Sequence, residues 1–124
     1  MLFIEYPKCS TCQKAKKWLE SKGAQFEDRH IVEQPPTAEE LKVWIPRSGL
    51  PIKRFFNTSG MRYKELGLKD KLAEMSDAEQ MALLATDGML VKRPLLVTAG
   101  RVIPGFREQE WDEALDAGDS EEKS

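Results

Sequence analysis

Several absences narrow the chemistry of this 124-residue chain. Histidine occurs once and cysteine twice. A structural zinc site needs about four ligands, and the lone His30 has no second C-x-x-C or H-x-x-x-H to join it. No metal is therefore expected. No apolar run approaches the roughly 20 residues a spanning helix requires, and the start, MLFIEYPK, lacks a basic segment followed by a long apolar one. No membrane association is expected, and a cytoplasmic setting is. Positive charge is not in excess either: 19 Lys and Arg face 21 Asp and Glu, for a net charge of -2. Such a chain has no overall field to hold nucleic acid, so no direct nucleic-acid binding is expected. At 40% hydrophobic and 32% charged residues it is too apolar for disorder. Internal repeats, low-complexity blocks and linkers are missing as well, which leaves a single domain over residues 1–124. Two thiols in a reducing compartment argue against a static disulfide and for a reactive or metal-binding pair.

What is present has a clear order. LFIEY (Leu2 to Tyr6) is a run of β-formers closed by Pro7 and suits a buried strand. Ser10 followed by Gln13 has capping-box spacing, Ala15, Trp18 and Leu19 share a helical stripe, and Gly23 supplies a stop, so a helix is predicted over about 10–22. AQFEDRHI then completes a βαβ unit as a second strand. Thr37 with Glu40 forms another capping box before Leu41, Trp44 and Ile45. Pro46 predicts a kink or an end near Ile45, with Gly49 and Pro51 closing the segment. FFNTSG is a loop. Further helices follow around the Gly67 break, and from the Ser76–Glu79 capping box toward Gly88. The last third changes period: PLLVT and RVIP about Ala99-Gly100 predict a β-hairpin. Phe106, Trp111, Ala114 and Leu115 mark a final amphipathic helix ending before Gly118, with DSEEKS as a loose tail over 118–124. The class is α/β, with a helical insertion over about 37–90.

Both cysteines sit at the seam between the first strand and the first helix, in YPKCSTCQKAKKWLESKG. There the unpaired amides and the dipole of the helix favour an anion, so Cys9 is the candidate nucleophile. Lys8, Lys14, Lys16 and Lys17 flank it, more as solvated side chains than as partners. Cys12, with two residues between, can reach Cys9 and resolve a mixed disulfide or sulfenic acid there. Cys12 could equally be a small buried hydrophobe. His30 suits a surface or packing role better than that of a base. KRPLLV places Arg93 before Pro94, at the start of the hairpin strand that must lie beside the first strand, which brings a guanidinium toward Cys9. A surface ion pair is the plainer alternative for that arginine.

Taken in order, CSTCQKAKKWL, QFEDRHI, FFNTSG with YKELGLKDKL, KRPLLV and RVIPGF make the chain resemble the arsenate-reductase-like, Spx/MgsR family of thioredoxin-fold proteins, from Leu2 to about Leu115. The resemblance implies a four-stranded mixed sheet in βαβ…ββα order and a cis proline at Pro94. It implies Cys9, Cys12 and Arg93 as catalytic residues, with Ser10, Thr11, Asn57 and Pro94 on the anion-binding side. Arsenate-reducing members hold the oxyanion with three arginines. Arg93 stands at one of those positions, Asn57 at a second, and Pro104 and Gly105 near the third, so the resemblance implies weak arsenate binding. No cofactor is implied, and the reductant would be glutathione with glutaredoxin, or thioredoxin. The pair Cys9–Cys12 is similar to that of the Spx/MgsR branch, whose members bind the RNA polymerase α C-terminal domain and respond to thiol oxidation. The resemblance therefore implies two activities, a reductase and a transcriptional regulator.

Overall fold

The computed structural model describes residues 1–123, with side chains to Asp116. The expected loose tail at 118–124 lies outside the residues described in full. In chain order the elements are β1 (Leu2–Glu5), α1 (Ser10–Ser21), β2 (Glu27–His30), α2 (Ala38–Ser48), α3 (Met61–Glu65), α4 (Leu68–Lys71), α5 (Asp77–Thr86), β3 (Leu95–Val97), β4 (Val102–Pro104) and α6 (Glu108–Lys123). Short 3-10 turns occupy Ile52–Phe55, Leu72–Glu74 and Gly88–Leu90. The chain divides into two compact units, Met1–His30 with Arg93–Ser124, and Ile31–Lys92.

The first unit is an α/β layer around a four-stranded mixed sheet of order β2-β1-β3-β4. β1 pairs parallel with β2 and antiparallel with β3, and β3 pairs antiparallel with β4. β1 is therefore hydrogen-bonded on both sides, and Phe3 and Ile4 in adjacent positions are fully buried. That is why its sequence is a continuous apolar run rather than an alternating one. Phe3 meets Phe26 and Trp111 edge-on, with ring centroids 5.5 and 6.1 Å apart. The buried indole N–H of Trp111 donates to the Gly105 carbonyl at 3.0 Å, which meets the hydrogen-bond requirement of a core tryptophan. α1 closes on Gly23, whose φ of 68° favours a residue without Cβ and whose amide donates to Glu20.

Two local expectations fail for physical reasons. The Ser10–Gln13 capping box does not form, because Cys9 takes the N-cap and makes no side-chain cap bond. The Gln13 amide instead donates to the Pro7 carbonyl at 2.9 Å, bracing the turn that carries Cys9. Pro46 does not end α2, which runs to Ser48 before Gly49 adopts φ 71°. Pro46 forfeits the single bond of its own N–H, and Ser48 Oγ adds one by donating to the Ile45 carbonyl at 2.6 Å.

The second unit is helical. Its two capping boxes form as expected, Thr37 with Glu40 and Ser76 with Glu79, and start α2 and α5. The buried amide of Gln80 donates to the Leu72 and Met75 carbonyls at 3.2 and 3.1 Å, satisfying the end of the 3-10 turn there. A single antiparallel bridge joins Phe56 to Val91, flanked by bonds from Asn57 N to Leu90 O and from Lys92 N to Phe55 O. Gly88 is buried in this unit, and a Cβ on it would run into the Ile31 carbonyl oxygen.

Candidate thiol site

Three elements of the sheet unit build the site. β1 ends in Glu5 and leads into Tyr6, whose carbonyl accepts the Cys9 amide at 2.9 Å. That bond fixes the turn, so Cys9 is the N-cap of α1 in an extended conformation and its own carbonyl takes the Gln13 amide at 3.0 Å. Ser10 and Thr11 follow in the exposed first helical turn. Cys12, one turn in, is fully buried. The third contribution comes from Arg93–Pro94, joined by a cis peptide bond immediately before β3. The Arg93 guanidinium carbon lies 5.4 Å from the centre of the Tyr6 ring, a cation–π contact, and its Nε is buried. His30 packs edge-on against the same ring at 5.9 Å. Tyr6 thus holds the Cys9 amide with its backbone and meets Arg93 with its ring.

Both thiols are free, Cys9 half-buried and Cys12 buried, and they are within hydrogen-bond reach of each other. Burial pushes the Cys12 thiol up to about 12, helped by the neighbouring Cys9 and by the charge of Glu5, while a hydrogen bond from the Tyr6 backbone works in the opposite direction. At neutral pH Cys12 is a protonated thiol held beside a more accessible one.

Of the residues singled out from the sequence, Cys9, Ser10, Thr11, Cys12, Arg93 and Pro94 belong to the sheet unit, and Asn57 to the helical unit. Asn57 is half-buried, and its side-chain oxygen accepts from Ser59 at 3.4 Å. One ionisable residue was missed. Glu5 sits inside the apolar run that predicts β1, yet it is 5% exposed and its charge is felt at Cys12. Lys16, expected to be solvated, lies 2.8 Å from Asp28 and 4.0 Å from Glu5. The only signal in the sequence was a carboxylate at the end of an otherwise apolar strand. Among the described residues no group of three or more His, Cys, Asp or Glu could hold a metal ion, and no helix is long and apolar enough to cross a membrane.

The chain as a whole is similar to known proteins. The chain is 56% identical over 113 residues to the uncharacterized protein YusI of Bacillus subtilis (strain 168), covering 91% of this chain and 96% of that one. It is 32% identical over 110 residues to the regulatory protein MgsR of the same organism, covering 89% and 86%. Among solved structures, an ArsC family related protein from Bacteroides fragilis superposes with a TM-score of 0.89 at 59% identity, covering 91% of this chain and 95% of that one. The model of the ArsC family matches residues 4–114, from β1 through the thiol turn and the cis proline into α6. The chain belongs to the ArsC family.

Proposed function

We propose that this chain is a thiol–disulfide redox protein in which Cys9 attacks, Cys12 resolves and Arg93 steadies negative charge at the reacting sulfur. The observation that carries the proposal is the pairing of a half-buried Cys9 at the N-cap of α1 with a buried Cys12 thiol in hydrogen-bond reach. Cys9, as thiolate, attacks one sulfur of a disulfide substrate and releases the other half as a thiolate, leaving a mixed disulfide on Cys9. Cys12 then loses its proton, attacks the Cys9 sulfur and expels the second half. The substrate gains two electrons and two protons, and the protein is left with a Cys9–Cys12 disulfide. Glutathione with glutaredoxin, or thioredoxin, returns the dithiol in a reducing compartment such as the cytoplasm. The amides of Ser10 and Thr11 open the helix toward the developing anion. Arsenate is a poor fit as substrate. Of the three arginines that family resemblance leads one to expect, only Arg93 is present, and charge-assisted pairs are the strong ones in oxyanion binding.

Similarity to the regulatory protein MgsR supports a second reading. In it the same dithiol is a switch that alters the packing of α1 when oxidised, on a regulator that binds the RNA polymerase α C-terminal domain. Turnover separates the two. The redox enzyme should reduce a model disulfide with glutaredoxin and glutathione, and a Cys12→Ser variant should accumulate the mixed disulfide on Cys9. No turnover above a Cys9→Ser control would remove the enzyme. Failure of both reduced and oxidised protein to capture the polymerase domain would remove the regulator.

A further inference from the structure

Glu5 ends a strand paired on both sides and is 5% exposed. A carboxylate so placed needs a cation or a proton. The groups around it come from every neighbouring element. From α1 come Lys16, with its Nζ 4.0 Å from the Glu5 carboxylate, and Cys12, one turn earlier on the same helix and within the field of Glu5; from β2 come Asp28, whose hydrogen bond raises Glu5, and His30, its register partner. Arg93 stands just before β3, and Glu20 adds its field at Lys16. The cation does not settle the charge of Glu5, because Lys16 lies 2.8 Å from Asp28 and 4.0 Å from Glu5. Burial first, then the hydrogen bond and charge of Asp28, raise Glu5 to about 7, with Lys16 acting in the opposite direction. Glu5 can therefore gain or lose a proton near neutrality.

Cys12 has the complementary need. It is fully buried and must give up a proton before it can attack. Resting on the redox reading above, we propose that Glu5 takes the Cys12 proton when the Cys9–Cys12 disulfide closes and returns it when that disulfide is reduced, with Asp28 and Lys16 linking it to solvent. In the closing step the proton passes from Cys12 Sγ to the Glu5 carboxylate, directly or through one water. The Cys12–Cys9 bond forms, the bond from Cys9 to the bound thiol breaks, and that thiol leaves as the thiolate. Once protonated, Glu5 no longer repels the Cys12 thiolate, so a pair of adjacent anions is never formed. Asp28, whose side chain is 34% exposed, and Lys16, at 43%, give the proton a way out.

A chromogenic aryl disulfide tests this on the full chain, because the first equivalent of aryl thiolate reports attack by Cys9 and the second reports closure by Cys12. In the wild type the closure phase should accelerate as pH rises through about 7, where Glu5 becomes a base. Glu5→Gln should slow closure about tenfold or more and remove that inflection, as loss of a positioned base does. Glu5→Asp should restore part of the rate. Asp28→Asn removes a charge that raises Glu5 and should move the inflection to lower pH. Closure in Glu5→Gln at the wild-type rate or faster would overturn the proposal, since removing the field of Glu5 alone favours the Cys12 thiolate. Should Glu5→Gln fail to fold, an inflection unmoved in Asp28→Asn would overturn it instead. Absence of the first phase in the wild type would remove Cys9 as the attacking thiol, and this inference with it. A first phase with a closure rate indifferent to Glu5 and Asp28 would leave the redox reading standing and remove only Glu5.

Discussion

Replacing Glu5 by glutamine should make the stability of the reduced protein depend on pH in a way that can be worked out beforehand. The Glu5 carboxyl is raised from its ordinary 4.5 to about 7, chiefly by burial and by Asp28. Below pH 4.5 it is protonated in both the folded and the unfolded chain, and its contribution is fully present. As pH rises the unfolded chain releases the proton first, so that contribution falls away until the folded carboxyl has ionised as well. At about 1.36 kcal/mol per pH unit, the loss between the two values is about 3 kcal/mol. Glutamine does not titrate and keeps a donor for Asp28. Urea unfolding of both proteins, followed by tryptophan fluorescence at fixed ionic strength, should therefore show Glu5→Gln gaining on the wild type by about 3 kcal/mol from about pH 4.5 to 7.5, then holding level. A difference that stays flat over this range within about 0.5 kcal/mol would mean that Glu5 is already ionised and satisfied, and the account of its environment would be wrong.

Cys12, pushed up to about 12, carries roughly 10⁻⁴ thiolate at about pH 8, so in the native protein it should alkylate with iodoacetamide roughly 10³-fold more slowly than in urea, read by peptide mass mapping. Arg93→Ala should slow the reaction of Cys9 with an aryl disulfide severalfold while leaving the melting temperature little changed, and a collapse in melting would make the arginine structural. Gly88→Ala, which drives a methyl into the Ile31 carbonyl, should cost more than about 2 kcal/mol in urea unfolding because backbone must move. Thr37→Ala removes the cap of α2 and should cost about 1 kcal/mol by the same measurement.

Much of the fold was legible because its signals are local. The capping boxes at Thr37 and Ser76 need only residues three apart, and both form. The hairpin of β3 and β4 announces itself by a change of period around Ala99-Gly100, and the parallel pairing of β1 with β2 follows from the short return after α1. Ser10 misled for an equally local reason. Its spacing to Gln13 matches a capping box, but the Tyr6 carbonyl holds the Cys9 amide and starts the helix one residue earlier, leaving Gln13 to brace Pro7. Pro46 stands inside α2, and the helix ends at Ser48 rather than near Ile45, with Gly49 closing it as its φ of 71° allows.

The site divides along the same line. Cys9 and Cys12 are adjacent by helical spacing, so their pairing needs no knowledge of the sheet. Placing Arg93 required the strand order, which topology rules and family resemblance supplied together. Glu5 was out of reach of both. Phe3, Ile4 and Glu5 are buried in succession, so periodicity cannot mark one of them as special, and a lone carboxylate looks like the end of the strand. Its partners are fixed by register across β1 and β2 and by which side of α1 carries Lys16 and Cys12, neither of which leaves a trace in spacing along the chain. Yet the same burial makes Glu5 consequential. An ionisable group in that position meets water only through its neighbours, and Cys12, whose thiol feels its charge, is the neighbour the proposal pairs with it. A helix N-terminus can favour an anion only at the thiol that caps it. On the proposed reading the resolving thiol, one turn deeper and buried, needs a base from another element, and Glu5, in the strand leading into the thiol turn, is the one proposed.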